Sequence, residues 1–184
     1  MLQDRLLIGN RVRLTALTKE DLPTIARWQE NDQFLRLFDA VPAYPKTKHT
    51  LEQWLEERHK AKDGFLFGIR ALDSDDLLGY LEIDGILWTH QTGWLSIAIG
   101  DPELWGKGYG REGLELALGF AFGELNLYRV QLSVFSYNDR AIKLYERLGF
   151  QREGVCREFL HREGTRHDMI WYGLLRREWE KSRG

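Results

Sequence analysis

The sequence predicts an α+β fold: a mixed, mostly antiparallel sheet of seven strands with about four helices on its faces. Three observations carry this prediction. Seven segments show alternating or dense apolar character of strand length, and others between them switch to helical spacing. Three of the strand-like segments follow one another through short polar connections, which favours antiparallel neighbours. No repeat, linker or low-complexity tract divides the chain, so one domain is expected over residues 1–184.

In order, Arg11 to Leu17 alternates polar and apolar residues, as a half-buried strand does. Thr18 and Asp21 resemble a capping signal for a helix from Lys19 to about Glu30. Asp32 to Lys48, with Pro42 and Pro45, reads as a loop with at most a short helical turn. Thr50 to Lys62 is a charged helix with Leu51, Trp54, Leu55 and Arg58 on one stripe. Phe65 to Leu72, Leu77 to Trp88 and Trp94 to Gly100 are strands. Gly108 to Leu125 returns to helical spacing through Leu114, Ala117, Leu118, Ala121, Phe122 and Leu125. Tyr128 to Phe135 is a strand, and Asn138 to Leu148 is a helix stopped by Gly149. Phe150 to Leu160 and Thr165 to Leu175 form a last strand pair around Glu163 and Gly164.

Composition narrows the function classes. With 43% hydrophobic and 29% charged residues, disorder, collagen and coiled coil are excluded. A chain of 184 residues buries roughly 70% of its unfolded surface, enough for a core without covalent staples. Lys plus Arg number 26 against 28 Asp plus Glu, which leaves no electrostatic footprint for a nucleic-acid backbone. Cys156 is the lone cysteine, so neither an internal disulfide nor a multi-cysteine metal site can form, and a reducing cytoplasm is the expected location. Met1 to Leu17 is interrupted by Asp4, Arg5, Arg11 and Arg13, and no stretch approaches ~20 apolar residues; neither a leader nor a membrane partner is expected.

The chemistry concentrates at Trp105-Gly106-Lys107-Gly108-Tyr109-Gly110-Arg111, between a strand and a long helix. Alternating glycines let backbone N–H groups converge on a ligand, and the helix start adds orphan donors and partial positive charge. This is an anion site suited to a phosphate or pyrophosphate. The Walker pattern fails because Lys107 is followed by Gly108 rather than Ser or Thr. Gly108, Gly110 and Gly113 satisfy the dinucleotide pattern literally, but the loop follows antiparallel-looking strands and the next strand offers no acidic end.

Gly-x-Gly-x-Gly after a strand ending in Ile-Gly-Asp-Pro-Glu, then a helix, a strand, Asn-Asp-Arg-Ala-Ile-Lys-Leu-Tyr-Glu-Arg-Leu-Gly-Phe and a terminal hairpin, resembles the GNAT acetyltransferases. The likeness is greatest to the branch holding ribosomal-protein and spermidine N-acetyltransferases, and is strongest from Gly79 to Trp179. Trp105 stands where the superfamily usually has Arg or Gln. The resemblance implies a GNAT-type sheet that splays open after the strand preceding the loop. It implies acetyl-CoA as cosubstrate without a metal. The pyrophosphate would lie on the loop amides of Gly106, Lys107, Gly108, Tyr109, Gly110 and Arg111, with Trp105 beside them in the cofactor site, and the pantetheine arm beside the backbone of Ile97, Ala98 and Ile99. Asn138 would contact that arm while serving as the N-cap of its helix.

Acetyl transfer to an amine needs an unprotonated nitrogen and a proton for the departing thiolate. The resemblance implies Tyr145 as the acid; a phenol of pKa about 10 stays protonated at neutral pH. Its spacing with Ala141 and Leu148 equally suits a core aromatic. For the base, Glu82 and Asp84 are two apart on a strand and face one side. Glu82 is favoured because Asp84 precedes Gly85 and can serve a bend, and a solvated strand face is the plain alternative. His90, His161 and His167 lack metal-ligand spacing, and Cys156 has no evident base. The expected activity is transfer from acetyl-CoA to a primary amine: a protein N-terminus, a polyamine or a small-molecule amine. The substrate would enter beside the two early helices, the Asp32 to Lys48 loop and the final hairpin. A monomer or homodimer is expected, and the alternative is a non-catalytic acyl-CoA sensor of the same fold.

Overall fold

A computed structural model describes residues 5–182. The first four residues of the N-terminal stretch discussed above lie outside them. The chain runs β1 (Val12–Ala16), α1 (Leu22–Trp28), α2 (Asp32–Phe38), α3 (Lys48–Lys60), β2 (Phe65–Ala71), β3 (Leu77–Leu87), β4 (Thr92–Ile99), α4 (Tyr109–Gly123), β5 (Arg129–Phe135), α5 (Asp139–Arg147), β6 (Gln151–Arg162), β7 (Thr165–Leu175) and α6 (Arg176–Lys181). The seven strands form one sheet in the order β1-β2-β3-β4-β5-β7-β6, as the seven-stranded α+β reading requires. Every adjacent pair is antiparallel except β4 with β5.

Six α-helices among the described residues replace the expected four, the additions being α2 and α6. The Asp32 to Lys48 segment was expected to be mostly loop because of its prolines, but both lie beyond residue 38. Asn31 caps α2 by accepting the Phe34 N–H at 2.9 Å, and Phe34 and Leu35 bury its inner side. The helix expected from Lys19 opens instead as a 3₁₀ turn over Lys19–Asp21 and becomes α-helical at Leu22, with Pro23 in its first turn. Asp21 accepts the Thr18 N–H at 2.8 Å and pairs with Arg70 at 2.6 Å, so the capping residue also ties the turn to β2. The charged helix starts two residues earlier than expected because Thr47, not Thr50, caps it, accepting the Thr50 N–H at 3.2 Å.

Strand alternation gives the sheet two covered faces. On one, Leu81 and Ile83 of β3 join Leu114, Leu118 and Phe122 of α4 in a core that includes Tyr145 and Leu148. On the other, Tyr80 of β3 and Ala98 of β4, paired in register, pack with Leu22, Ile25, Phe34, Leu51 and Leu55 from α1, α2 and α3. The split that creates the site lies between these layers. β4 and β5 pair only from Thr92–Arg129 to Trp94–Gln131. From Leu95 to Ile99, β4 remains paired with β3 alone.

Candidate active site

The glycine loop is built by left-handed backbone. Gly106 has φ 76° and Gly108 has φ 92°, values that an L side chain adopts only under strain. Gly108 is the residue before α4, and Gly110 and Arg111 of that helix's first turn, whose N–H groups have no partner within the helix, line the cavity. The loop is braced from the residue just ahead of β1: the Arg11 guanidinium donates to the Lys107 carbonyl at 2.6 Å and lies 4.5 Å from the Tyr109 ring centre. Glu112 in turn accepts the Asn10 and Arg11 backbone N–H groups. Trp105 donates its indole N–H to the Ile99 carbonyl at 2.7 Å, satisfying the end of β4, and its ring carries the Arg140 guanidinium at 4.5 Å.

A cavity of about 870 Å³ opens where β4 and β5 part. Its lining comes from both faces of the sheet, so it runs through the gap. On the α4 side it is bounded by Ile97, Ile99, Gly106, Gly108, Gly110 and Arg111, and by Ala141, Leu144 and Tyr145 of α5. On the α1–α3 side it is bounded by Phe34, Phe38 and Asp39, and by Asp84, Trp94 and Ser96. The backbone edge of Leu95 to Ile99 that lacks a strand partner faces this space. An extended polar chain laid along it would satisfy amides that are otherwise expensive to bury.

Tyr145 is 7% exposed, packs on Phe150 and Tyr172, and still lines the cavity. Its hydroxyl has no hydrogen-bond partner among the described residues, and burial pushes its pKa up to about 12. It is therefore a core aromatic that also lines the cavity. Asn138 caps α5 by accepting the Ala141 N–H at 3.2 Å, and its amide donates to the Leu37 carbonyl of α2 at 3.5 Å. It thus ties the helix bearing Tyr145 to the opposite wall. Arg140, Lys143 and Arg147 of α5 also line the cavity and, with Arg111, make its α4 side positive.

Glu82 is 8% exposed and sits on the α1–α3 face, across from Ser96 of β4. Burial pushes its pKa up to about 7, with Asp84 and Asp63 adding like-charge repulsion and Arg58 opposing. Asp84 is raised as well, chiefly by burial. Arg58, from α3, lies 3.3 Å from Glu82 and 3.9 Å from Asp84. Gly85 has φ 54°, and the β3–β4 register slips between Asp84 and Leu87, so the bend expected after Asp84 is present.

The fold brings Ile97, Ala98, Ile99, Trp105, Gly106, Gly108, Gly110, Arg111, Asn138 and Tyr145 to one cavity. Lys107, Tyr109 and Glu82 do not line it: Lys107 offers its carbonyl to Arg11, Tyr109 packs under Arg11 and against the core, and Glu82 is the register partner of Ser96, which does line it. Sequence reasoning missed Arg11, Arg58, the α5 basic row and the aromatic wall of α2. The row had a legible signal, since Arg140, Lys143 and Arg147 recur at helical spacing. Among the described residues no cluster of His, Cys, Asp or Glu is arranged to hold a metal, and no helix is long and apolar enough to cross a membrane.

Comparison with known proteins agrees with this geometry. Residues 11–151 match the family model described as an acetyltransferase (GNAT) domain. The chain is 31% identical, over 96% of its length and 96% of the relative's, to an SPbeta prophage-derived uncharacterized N-acetyltransferase, YokL, of Bacillus subtilis. It is 25% identical to a ribosomal-protein alanine N-acetyltransferase of Escherichia coli, over 85% of this chain and 82% of that one. A crystal structure of spermidine N-acetyltransferase from Vibrio cholerae in complex with CoA and spermine superposes with a TM-score of 0.83 at 27% identity, covering 92% of this chain and 98% of that one. A shared sheet, a matching family model and full-length similarity place this chain in the GNAT acetyltransferase family.

Proposed function

We propose that the protein transfers the acetyl group of acetyl-CoA directly to a primary amine, within one catalytic domain. The observation that carries this is the through-sheet cavity: a positive, glycine-lined mouth on one side and an acidic, aromatic mouth on the other, with the Tyr145 hydroxyl inside. Phosphates suit the loop amides and the Arg111, Arg140, Lys143 and Arg147 side, and the free edge of Leu95 to Ile99 suits the amide-bearing pantetheine arm. A cationic amine suits the side holding Asp39 and Asp84.

In this reading Glu82 draws a proton from the incoming ammonium through water or Ser96, because its raised pKa places it near neutrality. The amine nitrogen then bonds to the thioester carbonyl carbon, the carbon–sulfur bond breaks, Tyr145 gives its proton to the sulfur, and the second proton that the nitrogen sheds as the amide forms passes through water to restore the Tyr145 phenol. The substrate is a protein N-terminus, a polyamine or another small amine. The balanced charge offers no grip for a nucleic-acid backbone, and the single cysteine suits a reducing cytoplasm. The test is thiol release from acetyl-CoA over a panel of polyamines, N-terminal peptides and aminoglycoside-type amines. Amine-dependent release supports the reading. Tight acetyl-CoA binding with no release across the panel would leave the acyl-CoA sensor in its place.

A further inference from the structure

Glu82 and Asp84 are two acidic groups on one face of β3; Glu82 is buried and Asp84 is half-buried. Left to themselves they would repel, and burial would drive both toward their neutral forms. A third acid, Asp63, adds to the repulsion from the connection between α3 and β2. Among the described residues one cation faces this group: Arg58, on the last turns of α3, with Nε 3.3 Å from Glu82 and a terminal nitrogen 3.9 Å from Asp84. Tyr80 is the other titratable neighbour on this strand face and stays neutral, since burial raises its pKa far above the working range. From β4 the group opposite Glu82 is the uncharged Ser96.

We infer that Arg58 is a positioning residue for the acceptor side: it holds Glu82 and Asp84 together against α3 and sets the pH at which Glu82 gives up its proton. A guanidinium suits this task because it is planar, permanently charged and able to address two carboxylates at once. Its side chain is 39% exposed, so its field on Glu82 is partly screened and the effect falls at the low end of the range for an opposite charge at this distance. The kinetic half of the inference rests on the reading of Glu82 as the base; the electrostatic half does not.

The experiment separates the two. The Glu82 carboxyl is followed by carbon NMR titration in wild type, Arg58→Gln and Arg58→Lys, and kcat/KM for the amine is measured against pH in the same proteins. Arg58→Gln should move the Glu82 midpoint up by about one pH unit. The acidic limb of the rate profile should move with it, giving about tenfold lower kcat/KM below the limb and recovery at high pH. Arg58→Lys should restore most of both shifts. An unmoved Glu82 midpoint in a folded Arg58→Gln protein overturns the inference. A uniform loss at every pH with an unmoved midpoint does the same and reduces Arg58 to a structural contact. A midpoint that moves while the rate profile does not leaves Arg58 as the tuning cation and removes Glu82 as the base.

Discussion

Arg11 and Lys107 are 96 residues apart, yet the guanidinium of the first donates at 2.6 Å to the backbone carbonyl of the second. The same guanidinium lies over the Tyr109 ring and would stand 3.0 Å from a Cβ added at Gly108. The residue just ahead of β1 therefore braces the glycine loop in its left-handed shape, while Gly106, Gly108 and Gly110 line the cavity.

This brace predicts a selective binding defect. Arg11→Met should raise the acetyl-CoA dissociation constant about five- to tenfold, the equivalent of roughly 1 kcal/mol for one partly exposed charged hydrogen bond. S-acetylpantetheine, which lacks the pyrophosphate, should bind the variant as it binds wild type. Calorimetric titration with both ligands checks this. Equal losses for the two would assign Arg11 to general stability rather than to the loop.

The basic row on α5 predicts a salt-dependent effect. Lys143→Gln and Arg147→Gln should each raise the acetyl-CoA Michaelis constant about threefold near 0.02 M salt and much less near 1 M, where the Debye length is only about 3 Å. Turnover at saturating cofactor should be unchanged, because these groups bind the ground and transition states alike. A fall in saturated turnover would give one of them a part in the chemistry.

How much of this was readable before the fold depends on whether the signal was local. The loop, its helix, Asn138 as a cap and Tyr145 on an apolar stripe are local patterns, and each lies where spacing placed it. Arg11 and Arg58 are not local. One appeared as a polar residue of an alternating strand and the other as part of a helix stripe, and only the order of the sheet and the docking of α3 bring them to Lys107 and Glu82. α2 exceeds the short helical turn that its segment suggests, because Pro42 and Pro45 dominate the later part of it, although Asn31 stands as a capping residue just ahead. The cavity was legible only through the family resemblance, since a parted strand pair leaves no periodic trace in sequence.

Glu82 predicts a trade of stability against function. Its folded pKa is raised to about 7 from an ordinary 4.5. The folded state therefore holds this proton more tightly than the unfolded chain. The stabilisation is complete below about pH 4.5 and is lost as pH rises through 7. At pH 8 the buried carboxylate costs about 3 kcal/mol relative to acid. Glu82→Gln cannot ionise, so the stability of this variant relative to wild type should rise between pH 5 and pH 8. Urea unfolding at both pH values measures it, and a difference that stays constant would mean that Glu82 is not held protonated by the fold.

Tyr145→Phe is the most direct test of the proposed acid. The substitution removes one hydroxyl and keeps the ring that packs on Phe150 and Tyr172. That hydroxyl has no hydrogen-bond partner among the described residues, so its loss strands no protein group, and the melting temperature should change little. With its pKa pushed up to about 12, the phenol remains protonated throughout the working range and contributes no basic limb below that value. The same elevation makes it a reluctant donor, and a thiolate of pKa about 8.5, by analogy with cysteine, already leaves well at neutral pH. Loss of the proton donor should therefore lower turnover by about a hundredfold, the low end for general acid catalysis, with acetyl-CoA affinity nearly unchanged. Turnover at saturating acetyl-CoA and amine, compared beside the melting curve, decides the matter: a folded Tyr145→Phe protein with wild-type turnover would leave this residue a core aromatic that happens to reach the cavity.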